Sequence, residues 1–199
     1  MAITKTSIIN KALTLVGAAP ITNIDDDTSN ARAINRVYEI SLRSILSECK
    51  WNFATRRALL TTSAETLAWY YTVDNESYIY AKPADVIRIF GVNDDDATWR
   101  DEGDLIISDT QGLGILYVYY CDDPTKYPAS FIEAFVDKLA SDVSYIILNS
   151  ASKAESMLTK YNQVTLPNAR AENAQVGKQQ TMKDDAWDRA RFEDGGTWA

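Results

Sequence analysis

The sequence predicts a mixed α+β protein that is mainly α-helical, with a helical bundle domain, an inserted small antiparallel β domain and an extended C-terminal tail. Apolar residues recur at helical spacing towards both ends of the chain, and short β-branched and aromatic runs occupy its middle. The last residues are mostly polar. We therefore expect a helical domain formed by 1–57 and 128–183, a β domain at 58–127, and a docking tail at 184–199.

The first predicted helix has one apolar face and a clear stop signal, Gly17 followed by Pro20. Thr4 or Thr6 is expected to cap its first turn. The face consists of Ile8, Ile9, Ala12, Leu13 and Val16.

A longer helix is predicted after the acidic run 25–27, with Thr28 or Ser29 as its N-cap. We interpret the three aspartates as a charged cap, because the helix dipole favours negative charge at an N-terminus. The predicted buried face comprises Ile34, Val37, Ile45 and Cys49, with Tyr38, Leu42 and Leu46 beside it.

Between about residue 60 and residue 121 the pattern changes to short apolar runs separated by Asp, Asn, Gly and Pro. Such runs with turn-length gaps predict an antiparallel sheet or a small barrel. Turns are expected at 74–75, 94–96 and 111–114. The predicted strands are 69–71, 78–80, 86–92, 105–107 and 115–121.

The helical pattern returns after the predicted strands, with a stripe broad enough for a buried central helix. A further helical pattern includes Met157 and Tyr161, and Pro167 is expected to end or kink that helix. Residues 168–182 are weakly apolar and are predicted to form an exposed helix. The central stripe is Phe131, Phe135, Leu139, Val143 and Ile146, flanked by Ile132, Val136, Ala140 and Ile147.

Composition argues against most enzymes and against membrane proteins. The chain has 199 residues, no histidine and a net charge of −8. Ser-His-Asp catalysis and His-ligated metal sites are therefore excluded, and the acidic field opposes wrapping of DNA. Cys49 and Cys121 are too few for a disulfide framework, which favours a reducing compartment. No apolar run is long enough for a membrane helix, and we expect no enzyme activity, cofactor or metal.

The local motifs that could carry chemistry are incomplete. Ser150-Ala-Ser-Lys153 matches the S-x-x-K of acylating serine enzymes without its companion motifs. The acidic stretch 94–104 lacks the glycine and glutamate of an EF-hand, so we interpret it as a solvated hairpin. Gly177-Lys178 and Gly112-x-Gly114 lack the remainder of a phosphate or dinucleotide motif and are interpreted as turns.

A series of short motifs runs in order through nearly the whole chain. They are IINKAL at 8–13, LVG at 15–17, API at 19–21, DDD at 25–27, WNFA at 51–54, YAKPADVIRI at 80–89, YVYY at 117–120, DP at 123–124, YP at 127–128, Phe131 with Glu133-Ala134-Phe135, and Trp187 with Ala190-Arg191. Together they resemble the phage tail tubular protein A family, the head-to-tail adaptors of short-tailed phages. Pro167 departs from the family pattern, which has a long unbroken helix there.

This resemblance implies a structural virion protein that forms a ring, typically a dodecamer, below the portal protein. The ring continues the DNA channel and provides the attachment platform for the next tail protein, the nozzle. Double-stranded DNA is expected to pass through the lumen without specific binding, because an acidic bore repels phosphates. The implied location is the tail of the virion, and the host cytoplasm before assembly.

Two sets of residues are candidate docking sites for these partners. In the polar tail, aromatic and arginine side chains are typical of interface anchors. The portal-docking set is Trp187, Arg189, Arg191, Phe192 and Trp198. The set for the next tail component, which we call the acidic rim, is Asp94, Asp95, Asp96, Asp101, Glu102 and Asp104.

Two alternative functions belong to other classes. Arg32, Arg36 and Arg43 could serve a nucleic-acid-binding accessory protein of DNA packaging, although the negative charge of the chain favours their pairing with Glu39, Glu48 or a neighbouring subunit. A carboxylate-dependent cell-wall glycosidase would need two carboxylates roughly 5–9 Å apart across a cleft. The sequence offers many acids without indicating such a pair.

Overall fold

The computed structural model describes residues 3–64 and 77–176, and this part of the chain has a mixed α+β fold. The α+β class predicted from the sequence is therefore confirmed. In the described ranges no helix is long and apolar enough to cross a membrane. The helices are α1 (Lys5–Val16), α2 (Ser29–Ser47), α3 (Ala129–Leu148), α4 (Ala151–Lys160) and α5 (Leu166–Gln175); the strands are β1 (Thr55–Leu59), β2 (Tyr78–Ala81), β3 (Val86–Val92), β4 (Trp99–Glu102), β5 (Leu105–Ser108) and β6 (Gly114–Tyr119).

The first two helices begin at the threonines that the sequence offers as caps. Thr4 caps α1 through a capping box with Ser7, and Thr28 caps α2 by accepting the Ala31 N–H. Gly17 ends α1 with φ = 80°, a left-handed conformation that glycine adopts without steric cost. The predicted face of α1 is buried.

The central helix is α3, which contacts α1, α2, α4 and α5. Four of the five residues in its predicted stripe are buried, and Ile146 near the C-terminal end is partly exposed. Aromatic rings pack along its N-terminal half: the Phe131 ring lies 4.9 Å from Trp51 and 4.7 Å from Phe53. Trp51 also donates a 2.8 Å hydrogen bond to the carbonyl of Ile45, which ties the end of α2 to this cluster.

Pro167 is expected to end or kink the helix, and the structure shows that it does not end it: the helical path continues past Pro167 after a wider turn. A single π-helical turn, Tyr161–Thr165, joins α4 to α5, and Pro167 lies in the first turn of α5. The N–H of Leu166 bonds to the carbonyl of Tyr161, five residues back. Proline is tolerated there because a residue in the first turn of a helix need not donate its N–H to a carbonyl of that helix. Between α4 and α5 the α-helical hydrogen-bond pattern is replaced by the wider π-helical turn.

The strands form two antiparallel three-stranded sheets, ordered β1-β6-β3 and β2-β5-β4. The chain after β1 joins them: Leu60 donates to Leu113, while Ser63 donates to Ile79 in β2. Buried residues of the helices and of both sheets belong to one hydrophobic cluster, which includes Ile34, Val118 and Ile106.

The predicted strands that fall in the described ranges are present, and two further strands were missed. The sequence pattern placed the change to strands at about residue 60, but β1 begins at Thr55, and β4 was assigned to an acidic hairpin without a strand of its own. Both contain charged residues, TRRAL and WRDE, because each pairs with only one strand of its sheet and faces solvent. The predicted strand 69–71 and the turn 74–75 lie outside the described residues.

Candidate docking surfaces

The acidic rim is divided by the strand β4. Asp94, Asp95 and Asp96 lie in the bend before β4, whereas Asp101, Glu102 and Asp104 lie at its far end and in the β4–β5 turn. Because Asp101 and Glu102 belong to β4 itself, the two groups are separated along the chain by residues 97–100, the last two of which form the first half of the strand. The structure therefore presents two acidic patches on one small sheet.

Basic neighbours neutralise part of the second patch. The Lys82 ammonium lies 2.7 Å from each carboxylate oxygen of Asp101, and Arg100 lies 3.3 Å from Glu102. Within the described ranges, Asp94, Asp95, Asp96 and Asp104 have no such cation, and the last three of them are exposed, so three uncompensated acids lie in the bend and one in the second patch. The strongest acidic feature is therefore the bend that contains Asp95 and Asp96.

Hydrogen bonds fix the conformation of that bend. Asp94 accepts the Asp96 N–H at 3.1 Å, and Asp109, which follows β5, accepts the Thr98 N–H at 3.0 Å. The Thr110 hydroxyl donates to the same Asp109 oxygen at 2.9 Å. These bonds, that of Thr110 foremost, lower the pKa of the Asp109 carboxyl below its ordinary value. The bend is thus held by a carboxylate that the sequence analysis did not single out.

The three arginines of α2 do not form a free basic patch. Arg32 lies 2.9 Å from Asp27, and Arg43 lies 2.9 Å from Glu39 while its guanidinium stacks 4.4 Å from the Tyr120 ring. Only Arg36 of the three has no ion pair or hydrogen bond within 3–64 and 77–176. Of the predicted pairs, only that of Arg43 with Glu39 is present; Arg32 pairs with Asp27 instead, and Glu48 pairs with Arg170. Two of the three arginines are thus occupied within the chain, which disfavours the nucleic-acid alternative.

The short motifs with possible chemistry have structural roles. The Ser150 hydroxyl accepts the Lys153 N–H at 3.3 Å and so caps α4. Gly112, with φ = 77°, forms the turn before β6. In the described part of the chain, no group of three or more acidic or cysteine side chains could hold a metal ion. Gly177-Lys178 lies beyond the described residues.

Polar side chains hold α5 against the segment that follows α2; we call this set the α5 clamp. The side-chain oxygen of Asn173 accepts the backbone N–H of Asn52 at 2.9 Å, and its side-chain nitrogen donates to the backbone carbonyl of Lys50 at 2.8 Å. The backbone carbonyl of Asn173 accepts a third bond, from the side-chain amide of Asn52 at 2.7 Å. Arg170 pairs with Glu48 at 2.6 Å. Sequence reasoning missed this clamp because its partners lie more than 100 residues apart and show no local pattern.

An apolar cavity of about 320 Å³ lies beside the α5 clamp. Trp51, Phe53 and Phe131 form its inner wall, and Val176, the last described residue, lies at its edge. The clamp therefore fixes the position from which the chain continues towards its C-terminus. The predicted portal-docking residues, Trp187, Arg189, Arg191, Phe192 and Trp198, lie outside the described residues.

Comparison of the chain with known proteins finds no matching family model and no curated protein as a relative.

Proposed function

We propose that the chain is a head-to-tail adaptor of a short-tailed phage, which assembles as a ring below the portal protein and receives the next tail protein. The observation that carries this proposal is the ordered series of motifs, from IINKAL at 8–13 to Ala190-Arg191, that resembles phage tail tubular protein A along nearly the whole chain. A structural role also agrees with the absence of histidine from the sequence.

In this proposal the helices form the bundle domain, the strands form the inserted β domain, and residues 184–199 form an extended docking tail. The α5 clamp supports the assignment of the two partners to different parts of the chain. It anchors the helix that leads into the tail, while the acidic bend with Asp95 and Asp96 lies on the sheet β2-β5-β4. The tail that follows α5 thus serves the portal, and the acidic bend serves the next tail component.

Deletion of 184–199 tests the portal contact. The tail is too polar to build a core, so the circular dichroism spectrum and the melting temperature should remain close to those of the full chain, while attachment to purified portal is lost. A central aromatic anchor contributes about 2 kcal/mol or more, so Trp187→Ala should weaken attachment about 30-fold. Trp187→Phe, which keeps an aromatic ring, should weaken it less. Normal decoration of portal by the truncated chain would place the docking surface elsewhere.

Neutralising the acidic bend tests the other contact. Asp95→Asn with Asp96→Asn removes two exposed charges and preserves the turn that Asp94 supports. Attachment of the next tail protein should slow, most strongly at low salt, while portal binding is unchanged. The matched control, Asp25→Asn with Glu133→Gln, removes the same charge from exposed positions of the helical part. If the bend variant loses portal binding and the control does not, the acidic bend contacts the portal and not the next tail protein.

A further inference from the structure

A groove runs along the outer surface of α2 and α3. Two adjoining concavities, of about 270 and 290 Å³, lie side by side there, since Arg36 lines one and its neighbour Val37 lines the other. Ala33 lies in the same concavity as Ile146, and Ser44 in the same concavity as Lys138, so the two helices run in opposite directions along the groove.

The groove has a floor of small residues and an apolar edge. Ala33 and Ser41 are buried on its floor, whereas the Ile40 side chain is 69% exposed and Ile146 is 45% exposed. Small residues between larger ones allow another helix to approach closely, as in helix-in-groove recognition. An isoleucine exposed to this degree next to a concavity gains from being covered.

The charges of the groove limit what can cover it. Lys138 and Asp142 are paired with each other at 2.8 Å, and Asp142 also accepts a hydrogen bond from Ser41. Arg36 is exposed and has no partner in the described ranges, whereas its neighbour Arg32 is paired with Asp27. On α2 the unsatisfied features are thus one cation, Arg36, and one large apolar side chain, Ile40, which are four residues apart.

The complementary pair lies on α4 of the same chain. Although α4 packs against α3, none of its residues is buried. One stripe of exposed residues follows helical spacing along α4 into the π-helical turn, and we call it the α4 ridge. Within it Leu158 is 40% exposed, and Glu155 has no ion pair in the described ranges. The α4 ridge consists of Ala151, Glu155, Leu158 and Asn162.

We propose that the groove of one copy of this chain binds the α4 ridge of a second copy, with Leu158 packed on Ile40 and Glu155 facing Arg36. Residues three or four apart on a helix are about 5–6 Å from each other, so both contacts can form at once. Groove and ridge are different surfaces, so the contact is heterologous and successive copies extend it to a ring or a filament. Only the closure into a ring rests on the proposed function.

Disulfide trapping between two full-length variants tests the contact without portal. One variant carries Ile40→Cys and the other Leu158→Cys, and their mixture should give a covalent heterodimer under mild oxidation. The control partner is Ser156→Cys, exposed on the same helix about half a turn from Leu158. The native thiols interfere little, because Cys121 is buried and burial raises the pKa of Cys49 to about 11. Heterodimer yield no higher than with the control would overturn the proposal.

Charge exchange tests the pairing of Arg36 with Glu155. Arg36→Glu and Glu155→Arg should each weaken self-association, measured by sedimentation at high protein concentration, by up to about fivefold, the range of exposed ion pairs. The double variant should restore association to near the original level. Arg57→Glu, the same charge change on β1, is the control and should have little effect. A double variant that associates as weakly as the singles would contradict the pairing.

These outcomes are separable from those of the proposed function. Failure of the disulfide test alone removes this contact but says nothing about attachment to portal, which is measured separately with purified portal. Conversely, if both tests succeed and the chain does not bind portal, the contact between copies stands and the adaptor function is refuted.

Discussion

The α5 clamp should be weakened by a single substitution, Asn173→Ala. The change removes two hydrogen bonds, from the Asn52 N–H at 2.9 Å and to the Lys50 carbonyl at 2.8 Å. It preserves the third, which the Asn173 backbone carbonyl accepts from the Asn52 side chain. These bonds are solvent-accessible, so each contributes at the low end of the usual range, about 0.5–1 kcal/mol. The loss of about 1–2 kcal/mol should raise the opening equilibrium of α5 roughly 5- to 30-fold.

Native-state hydrogen exchange of the α5 amides measures this effect directly, because it detects opening of one helix without global unfolding. Exchange should become faster in α5 and remain unchanged in α3. Asn168→Ala is the matched control, since Asn168 is exposed on the same helix and the change gives the same gain in helix propensity without loss of a hydrogen bond. If exchange in α5 rises no more in Asn173→Ala than in this control, the clamp does not hold the helix.

Two further predictions concern the ion pair of α3 with α4 and the acidic bend. The Asp137 side chain is almost fully buried and pairs with Lys160 at 2.9 Å. Lys160→Met leaves that carboxylate without its cation and should lower the free energy of unfolding, measured by urea titration, by about 2–3 kcal/mol. Lys160→Arg, which keeps the charge, should lower it by clearly less. A Met variant as stable as the parent would show that the pair is dispensable. The pKa of Asp109 is lower in the folded chain than its ordinary value of 3.8. The stability that the Asp109 carboxylate adds to the bend is therefore complete above pH 3.8 and is lost as the pH falls through the lower pKa of the folded state. NMR signals of Thr98 should report this acid-induced opening, whereas Asp109→Asn should abolish the pH dependence in this range.

The elements predicted from the sequence are those whose signals are local. The apolar stripes of α1 and α3 and strand β3 could be assigned, and each N-cap could be narrowed to two residues that include the observed Thr4 and Thr28, because periodicity and caps act within a few residues. The charged strands β1 and β4 were missed because their strand conformation is imposed by pairing with β6 and β5.

The contacts that position the candidate sites could be predicted only in part. The pairing of Arg43 with Glu39 follows from their spacing on one helix. The α5 clamp and the bonds of Asp109 join residues that only the tertiary fold brings together. The division of the acidic rim by β4 was missed for a related reason: the run of acids conceals the strand. The π-helical turn before Pro167 likewise leaves no recognisable sequence pattern.

Electron microscopy of the full chain mixed with purified portal tests the adaptor function most directly. The proposal predicts added density below the portal, in the form of a ring with a continuous central channel, and no such density with the chain truncated at residue 183. Portal particles that remain bare at a large excess of the full chain, under conditions in which the chain is folded, would contradict the adaptor function.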